Sequence, residues 1–192
     1  MKNLRVKDVA RESLYCPNFV PSHTAFMESA TKRHDKLKDK VKELLKNKYD
    51  VECEDEKEVN LPSGLRGKID LLCRGKDRDL IVEVKSSYPS RLLLGDAIQL
   101  ALYAYGYKKS FKDGYQKELD LYLAYRGSDG NPILIKIEEK LKRELEEMAK
   151  IIDFSLTNDL STEKPKVLVL SFLCRFCGKD CPFKPRLTTQ GA

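Results

Sequence analysis

The chain has no tryptophan, only two histidines and three methionines, and no apolar run approaching the ~20 residues that a membrane-spanning helix needs. Its N-terminus shows no apolar core of a secretory signal peptide. These absences predict a soluble, cytoplasmic protein with no membrane partner. Of the 192 residues 41% are apolar, which is typical of a folded protein with a core large enough for one domain.

Charged residues are abundant and unevenly distributed. The formal net charge is +6, and residues 32–48 hold eight basic and three acidic groups. Residues 162–192 hold six basic and two acidic groups. Such segments suit a phosphate-rich partner such as nucleic acid, although lysine-rich helix faces are more often simply solvated.

The pattern of apolar residues predicts an α/β fold, in which helices flank a mixed sheet. Helical spacing predicts three helices, at residues 21–48, 89–109 and 138–153. Apolar segments bounded by turns predict five strands, at residues 65–73, 79–85, 118–126, 133–137 and 166–172. Residues 51–59 fit an alternating strand poorly but acceptably.

Charged residues interrupt two of the predicted strands in otherwise apolar surroundings. Asp70 lies within LRGKIDLLC, and Glu83 and Lys85 lie within DLIVEVK. Residues two apart on a strand share a face, and pairing of the two strands as a hairpin would bring Asp70 near Glu83. Neighbouring carboxylates repel unless a cation lies between them, and hard oxygen ligands select Mg²⁺ or Mn²⁺.

These three residues together favour phosphodiester hydrolysis. A metal ion would polarise a phosphoryl oxygen and help ionise an attacking water. Lys85 would hold that water or stabilise the charge that develops on the phosphate. The alternative is an exposed strand with alternating Glu and Lys, which is common, but the apolar setting of Glu83 weakens that alternative.

Two further features support a site at these strands. His34 lies on the apolar face of the first predicted helix, where a histidine is more often a core residue, but a neutral imidazole could be a third metal ligand. Gln99 and Tyr103 are four residues apart on the next predicted helix and share one face. Their amide and phenol could hold a phosphate or a base, or could simply pack the helix.

Four of the six cysteines lie near the two ends of the chain. Cys16 is alone near the N-terminus, and Cys174, Cys177 and Cys181 crowd the C-terminus. This spacing is too close for a zinc ribbon with two Cys-x-x-Cys pairs, whereas four thiolates satisfy an iron–sulfur cluster. Zinc held by the same thiolates is the alternative. Either centre would tie the two ends of the chain together.

The remaining cysteines, Cys53 and Cys73, lie in predicted strands. In a chain with a cytoplasmic composition, cysteines are more often metal ligands or core residues than disulfide partners, hyperthermophile proteins excepted. We therefore expect these two to be small core residues.

The order of the motif residues resembles the RecB-like branch of the PD-(D/E)XK nucleases. With the four terminal cysteines, residues 14–182 resemble the CRISPR-associated RecB-like iron–sulfur exonucleases. The shared nuclease motifs are, in chain order, His34, Asp70, Glu83-Val84-Lys85 and Gln99-x-x-x-Tyr103.

The resemblance implies a restriction-endonuclease-like fold in a single domain over residues 1–192, with a mixed central sheet flanked by helices. It also implies an iron–sulfur subdomain that joins residues 10–22 to residues 170–185 and holds a 4Fe–4S or, alternatively, a 2Fe–2S cluster. The implied cluster ligands are Cys16, Cys174, Cys177 and Cys181. The implied ligands of Mn²⁺ or Mg²⁺ are His34, Asp70, Glu83 and the Val84 carbonyl. The implied catalytic residues are Asp70, Glu83, Lys85, Gln99 and Tyr103.

The resemblance further implies a 5′-to-3′ exonuclease, with endonuclease activity as an option, that acts on single-stranded DNA. In that family the enzyme trims DNA for CRISPR spacer acquisition, which implies the CRISPR integrase complex as a partner. Three alternatives stay open: a RecB-like nuclease of repair or recombination, a restriction-type endonuclease, and a catalytically silent single-strand-binding or adaptor module with a structural metal. The oligomeric state is not legible from the sequence.

Overall fold

Five strands form one sheet in the part of the chain that the computed structural model describes, which is residues 5–12, 27–86, 94–112 and 114–157. Four helices accompany the sheet within those residues. In chain order the elements are α1 (Val6–Glu12), α2 (Met27–Tyr49), β1 (Glu52–Asn60), β2 (Arg66–Arg74), β3 (Arg78–Lys85), α3 (Leu94–Lys109), β4 (Glu118–Arg126), β5 (Pro132–Lys136) and α4 (Glu139–Thr157).

The sheet is mixed, and its spatial order β1-β2-β3-β4-β5 follows the sequence. The first three strands pair antiparallel in succession, and so do β4 and β5. β3 and β4 are parallel, and because a parallel pair needs a crossover connection, α3 lies between them in the chain. The predicted α/β fold, a mixed sheet flanked by helices, is confirmed.

Helices cover both faces of the sheet. α1, α3 and α4 contribute to the buried cluster on one face. On the other face α2 packs through Leu37, Val41 and Leu45 against residues that include Val82 and Val84. β3 is buried on both faces apart from its ends, as is typical of a strand within an α/β sheet. None of the described helices is long and apolar enough to cross a membrane.

The predicted elements are found where the structure describes the chain, with shifts at their ends. The strand predicted at 118–126 has those bounds, and the last predicted helix continues to Thr157. The sequence does not predict α1, because seven residues are too few to establish a helical period, although Val6, Val9 and Ala10 are spaced as on one face of a helix. Residues 21–26, 89–93 and the predicted strand 166–172 lie outside the described residues.

Cys73 is a core residue as expected, and Cys53 packs against that core, but the expectation that these cysteines are not disulfide partners was wrong, because a disulfide joins them. They are cross-strand neighbours on β1 and β2, and Cys73 is fully buried. Only the register of one strand against the other brings two such residues together, and neither strand's sequence reveals that register by itself. The disulfide therefore fastens β1 to the strand that carries Asp70.

Candidate active site

β2 and β3 separate beside the two predicted carboxylates. Their antiparallel pairing ends at Leu71 and Val82, and the next position of the same register sets Asp70 opposite Glu83. Asp70 also has no register partner on β1, although Ile69 and Leu71 do. Asp70 therefore lies at a gap in the strand pairing, next to Glu83 of β3.

Three of the four predicted metal ligands meet at this gap. Asp70 Oδ2 accepts a hydrogen bond of 2.8 Å from the Val84 backbone N–H. His34 reaches the gap from α2, with Nε2 3.0 Å from the Val84 carbonyl oxygen and 3.5 Å from Asp70 Oδ2. The half-buried histidine thus joins the helix on one face of the sheet to the end of β3.

A hydrogen-bonded cluster continues from the fourth ligand, Glu83, to the helix α3. Lys85 Nζ lies 2.6 Å from Glu83 Oε1 and donates a hydrogen bond of 3.1 Å to Gln99 Oε1. Gln99 Nε2 donates to Glu83 Oε1 at 2.7 Å and to the Tyr103 hydroxyl at 3.0 Å. The Gln99 amide therefore holds both charged groups of the strand, while Tyr103 holds the amide.

A single groove brings these side chains together with a basic rim. The sequence-predicted residues that line it are His34, Asp70, Glu83, Val84, Lys85, Gln99 and Tyr103. The basic residues that line it are Arg5, Lys7, Arg66 and Lys68.

The close approach of Tyr103 to β2 depends on Gly67. A Cβ atom at position 67 would overlap with Tyr103 Cε1 and would lie 2.9 Å from Val6 Cγ2. Sequence reasoning missed this residue. The available signal was a glycine inside a predicted strand, since such a glycine often marks a close backbone approach.

A third carboxylate, Asp96, also belongs to the cluster and was missed. Its Oδ1 lies 3.4 Å from Lys85 Nζ, and its Oδ2 accepts a hydrogen bond of 2.9 Å from the hydroxyl of the fully buried Tyr125. An acidic residue in the first turn of a helix is common for reasons unrelated to a site, so its position in α3 gave no signal.

Carboxylates dominate the electrostatics of the groove floor. Burial raises the pKa of Glu83 to about 8; Lys85 opposes the rise, and the charges of Asp70 and Asp96 add to it. Burial lowers the pKa of Lys85, but the charges of Glu83 and Asp96 outweigh that effect and the net shift is upward. A hydrogen bond with Asp70 raises the pKa of His34. The shifts of Lys85 and His34 reflect the neighbouring carboxylates, whereas the shift of Glu83 reflects mainly its burial.

The donor set suits a hard divalent cation. The described residues contain no group of three or more His, Cys, Asp or Glu side chains close enough to hold a metal ion as they stand. However, Glu83 Oε2 is buried and has no hydrogen-bond partner in the described part of the chain. Such an oxygen is destabilising, and a cation between Glu83 and Asp70 would compensate it. Carboxylate and carbonyl oxygens select Mg²⁺ or Mn²⁺.

The predicted cluster ligands Cys16, Cys174, Cys177 and Cys181 lie outside the described residues. The iron–sulfur subdomain and the division of the chain that it implies therefore stay predictions.

Two carboxylates and a lysine that meet at the end of a central strand are typical of a metal-dependent phosphodiesterase site, and the sequence agrees with that class. Residues 5–186 match the profile of the PD-(D/E)XK nuclease superfamily, so the chain belongs to this superfamily. No curated protein matches the sequence.

Two solved structures match this chain at low sequence identity. The crystal structure of SSO0001 is 18% identical, with a TM-score of 0.47, and the match covers 96% of this chain and 88% of that chain. A structure from Eubacterium rectale, described as a candidate exonuclease, is 14% identical with a TM-score of 0.42, over 69% of this chain and 53% of that chain.

Proposed function

We propose that this protein is a divalent-metal-dependent deoxyribonuclease that degrades single-stranded DNA from its 5′ end. The observation that supports a nuclease most directly is the meeting of Asp70, Glu83 and Lys85 in one groove, where Glu83 Oε2 is buried and finds no partner among the described residues. Membership of the superfamily supports the nuclease class. The single-stranded substrate and the 5′-to-3′ direction rest on the resemblance of the motifs and cysteines to the CRISPR-associated exonucleases.

The proposed metal ligands are Asp70, Glu83, the Val84 carbonyl and His34. A bound Mg²⁺ or Mn²⁺ supplies polarisation of the phosphoryl oxygen and a lower pKa for an attacking water. For His34 to act as a ligand, its Nε2 must carry no proton, so it must give up its hydrogen bond to the Val84 carbonyl.

Lys85 is the proposed catalytic cation. Its ammonium group is held by Glu83 Oε1, Gln99 Oε1 and Asp96, so its position is fixed before the substrate arrives. A fixed positive charge beside the scissile phosphate stabilises the negative charge that develops on the phosphate oxygens. Gln99 and Tyr103 are positioning residues in this scheme, because their contacts are with the charged groups.

The proposed cellular role is the trimming of DNA for CRISPR spacer acquisition, with the integrase complex as partner and an iron–sulfur cluster on the four terminal cysteines. This part of the proposal rests on the sequence resemblance. Protein purified without oxygen tests the cluster. We expect the wild-type sample to be brown and to contain iron and sulfide, and the Cys177→Ser sample to lose both. A colourless wild-type sample that contains zinc would favour the alternative metal.

A cleavage experiment tests the nuclease. Linear single-stranded DNA, labelled at either end, is incubated with Mn²⁺ and with wild type, Asp70→Ala or Lys85→Ala; exposed Lys140→Ala on α4 is the control. We expect Asp70→Ala and Lys85→Ala to lose at least about 100-fold in rate, because the first removes a proposed metal ligand and the second removes the cation beside the phosphate, and we expect the control to keep its rate.

The outcomes separate the alternatives. Shortening from the 5′ end with circular DNA left intact supports the exonuclease, whereas cleavage of circles would indicate an endonuclease. Binding without cleavage by wild type and variants would indicate the silent adaptor module. Equal cleavage by wild type and both variants would show that a contaminant does the cutting.

A further inference from the structure

A row of cations runs along β2 toward the candidate active site. We propose that Arg66 and Lys68, with Arg5 and Lys7 beside them, bind successive phosphates of one DNA strand and lead that strand to Asp70. The inference rests on the proposed nuclease function and adds the path of the substrate to it. The four cations are called the basic row below.

The geometry of β2 supports this path. Arg66, Lys68 and Asp70 are alternate residues of the strand, and all three line the same groove. Alternate residues of a strand point to one face and lie about 7 Å apart, so each cation can meet a different phosphate of one strand. The third residue of the series is Asp70, a proposed metal ligand. The scissile phosphate would therefore lie at this end of the series.

The second pair of cations lies alongside the first. An isolated parallel bridge joins the backbone of Arg5 to that of Arg66, and Lys7 follows in the first turn of α1. Like charges on neighbouring extended segments repel one another. Within the described residues, Arg5, Lys7 and Arg66 form no ion pair. An anion between the two segments would relieve this repulsion.

The nearby carboxylates do not neutralise the basic row. Glu58 is the register partner of Lys68 on β1 and lines the groove. Lys68 Nζ lies 3.5 Å from Glu56 Oε2, but the two side chains are 56% and 59% exposed. An ion pair that exposed is weak, so a phosphate can displace the carboxylate. The basic row is therefore available to a polyanion.

Salt-dependent binding tests the basic row in the full-length protein. A fluorescein-labelled oligothymidylate is titrated in EDTA, so that it is not cleaved, at several salt concentrations. The test variant is Arg66→Gln/Lys68→Gln. The control is Lys140→Gln/Arg143→Gln on α4, which removes the same two charges from exposed positions outside the groove.

We expect the test variant to reduce the slope of log affinity against log salt by about 1.4, because each lost phosphate contact on a single strand reduces it by about 0.7. The control is expected to keep the wild-type slope. Arg66→Lys/Lys68→Arg, which conserves both charges, is expected to restore the slope. Equal slopes for the test and control variants, or no binding by wild type, would overturn the proposal.

A short substrate separates the basic row from the chemistry. Thymidine 5′-(4-nitrophenyl phosphate) carries a single phosphate, so none is left for Arg66 or Lys68 when that phosphate lies at Asp70. Arg66→Gln/Lys68→Gln is therefore expected to slow its cleavage with Mn²⁺ much less than it slows the cleavage of long DNA. An equal loss on this substrate and on long DNA would contradict a role in strand binding. Binding that depends on the basic row in a protein that cleaves neither substrate would support the row and refute the nuclease.

Discussion

Replacing Glu83 by glutamine is expected to stabilise the metal-free protein. Glu83 is buried, its Oε2 has no partner in the described part of the chain, and burial raises its pKa to about 8. Between pH 4.5 and 8 the Glu83 carboxyl group stays protonated in the folded state but is ionised in the unfolded state. Each pH unit in that window therefore lowers the free energy of unfolding by about 1.4 kcal/mol.

At pH 7 the ionisation of Glu83 in the unfolded state has lowered the free energy of unfolding by about 2 to 4 kcal/mol. Glutamine avoids this loss because it stays neutral in both states. Glu83→Gln is thus expected to be more stable than wild type at pH 7 in EDTA. Below pH 4.5 the carboxyl group is protonated in both states, so the advantage is expected to vanish. Urea unfolding at pH 4.5, 6 and 7 measures the difference.

A divalent cation is expected to make wild type more stable than Glu83→Gln. Mn²⁺ would bind to ionised Glu83 and stabilise wild type increasingly as the pH rises, with little effect on Glu83→Gln. Exposed Glu144→Gln on α4 is the matched control and is expected to behave as wild type. A Glu83→Gln variant that is no more stable than wild type at pH 7, or a difference that does not depend on pH, would refute a destabilising role for the buried carboxyl group of Glu83.

Three further substitutions test other contacts of the site. Gly67→Ala is expected to lower the free energy of unfolding by about 1–3 kcal/mol and to reduce cleavage, because the new methyl group displaces the Tyr103 ring; unchanged values for both would refute the packing argument. Tyr103→Phe leaves a buried donor of Gln99 without its acceptor, so urea unfolding is expected to show a loss of about 1–3 kcal/mol. Cys73→Ser opens the disulfide to Cys53 across a separation of 20 residues and is expected to cost about 3 kcal/mol in thermal unfolding; reductant is expected to destabilise wild type but not the variant.

The sequence predicted the parts of the fold whose pattern is local. β3 and β4 are strongly apolar segments, and α4 has a clear helical period, so they were predicted with small errors at their ends. The site residues Asp70 and Glu83 were visible because a charged residue inside an apolar strand is unusual. Their mutual approach was expected if the two strands pair as a hairpin, and β2 and β3 do pair antiparallel up to Leu71 and Val82.

The contacts that were missed depend on tertiary placement. Asp96 meets Lys85 only because α3 starts beside the end of β3, and Tyr125 reaches it from the parallel strand β4. The Cys53–Cys73 disulfide likewise depends on the register of β1 against β2. Neither arrangement has a signature in the spacing of the residues concerned.

Binding of Mn²⁺, counted by electron paramagnetic resonance of the free ion, tests most directly whether the groove holds a divalent cation. We expect saturable binding to wild type and to Glu144→Gln, and an affinity at least about tenfold weaker for Asp70→Asn and for Glu83→Gln, because each removes an anionic oxygen ligand. Undiminished binding by both variants would place the cation elsewhere and contradict a metal site in the groove.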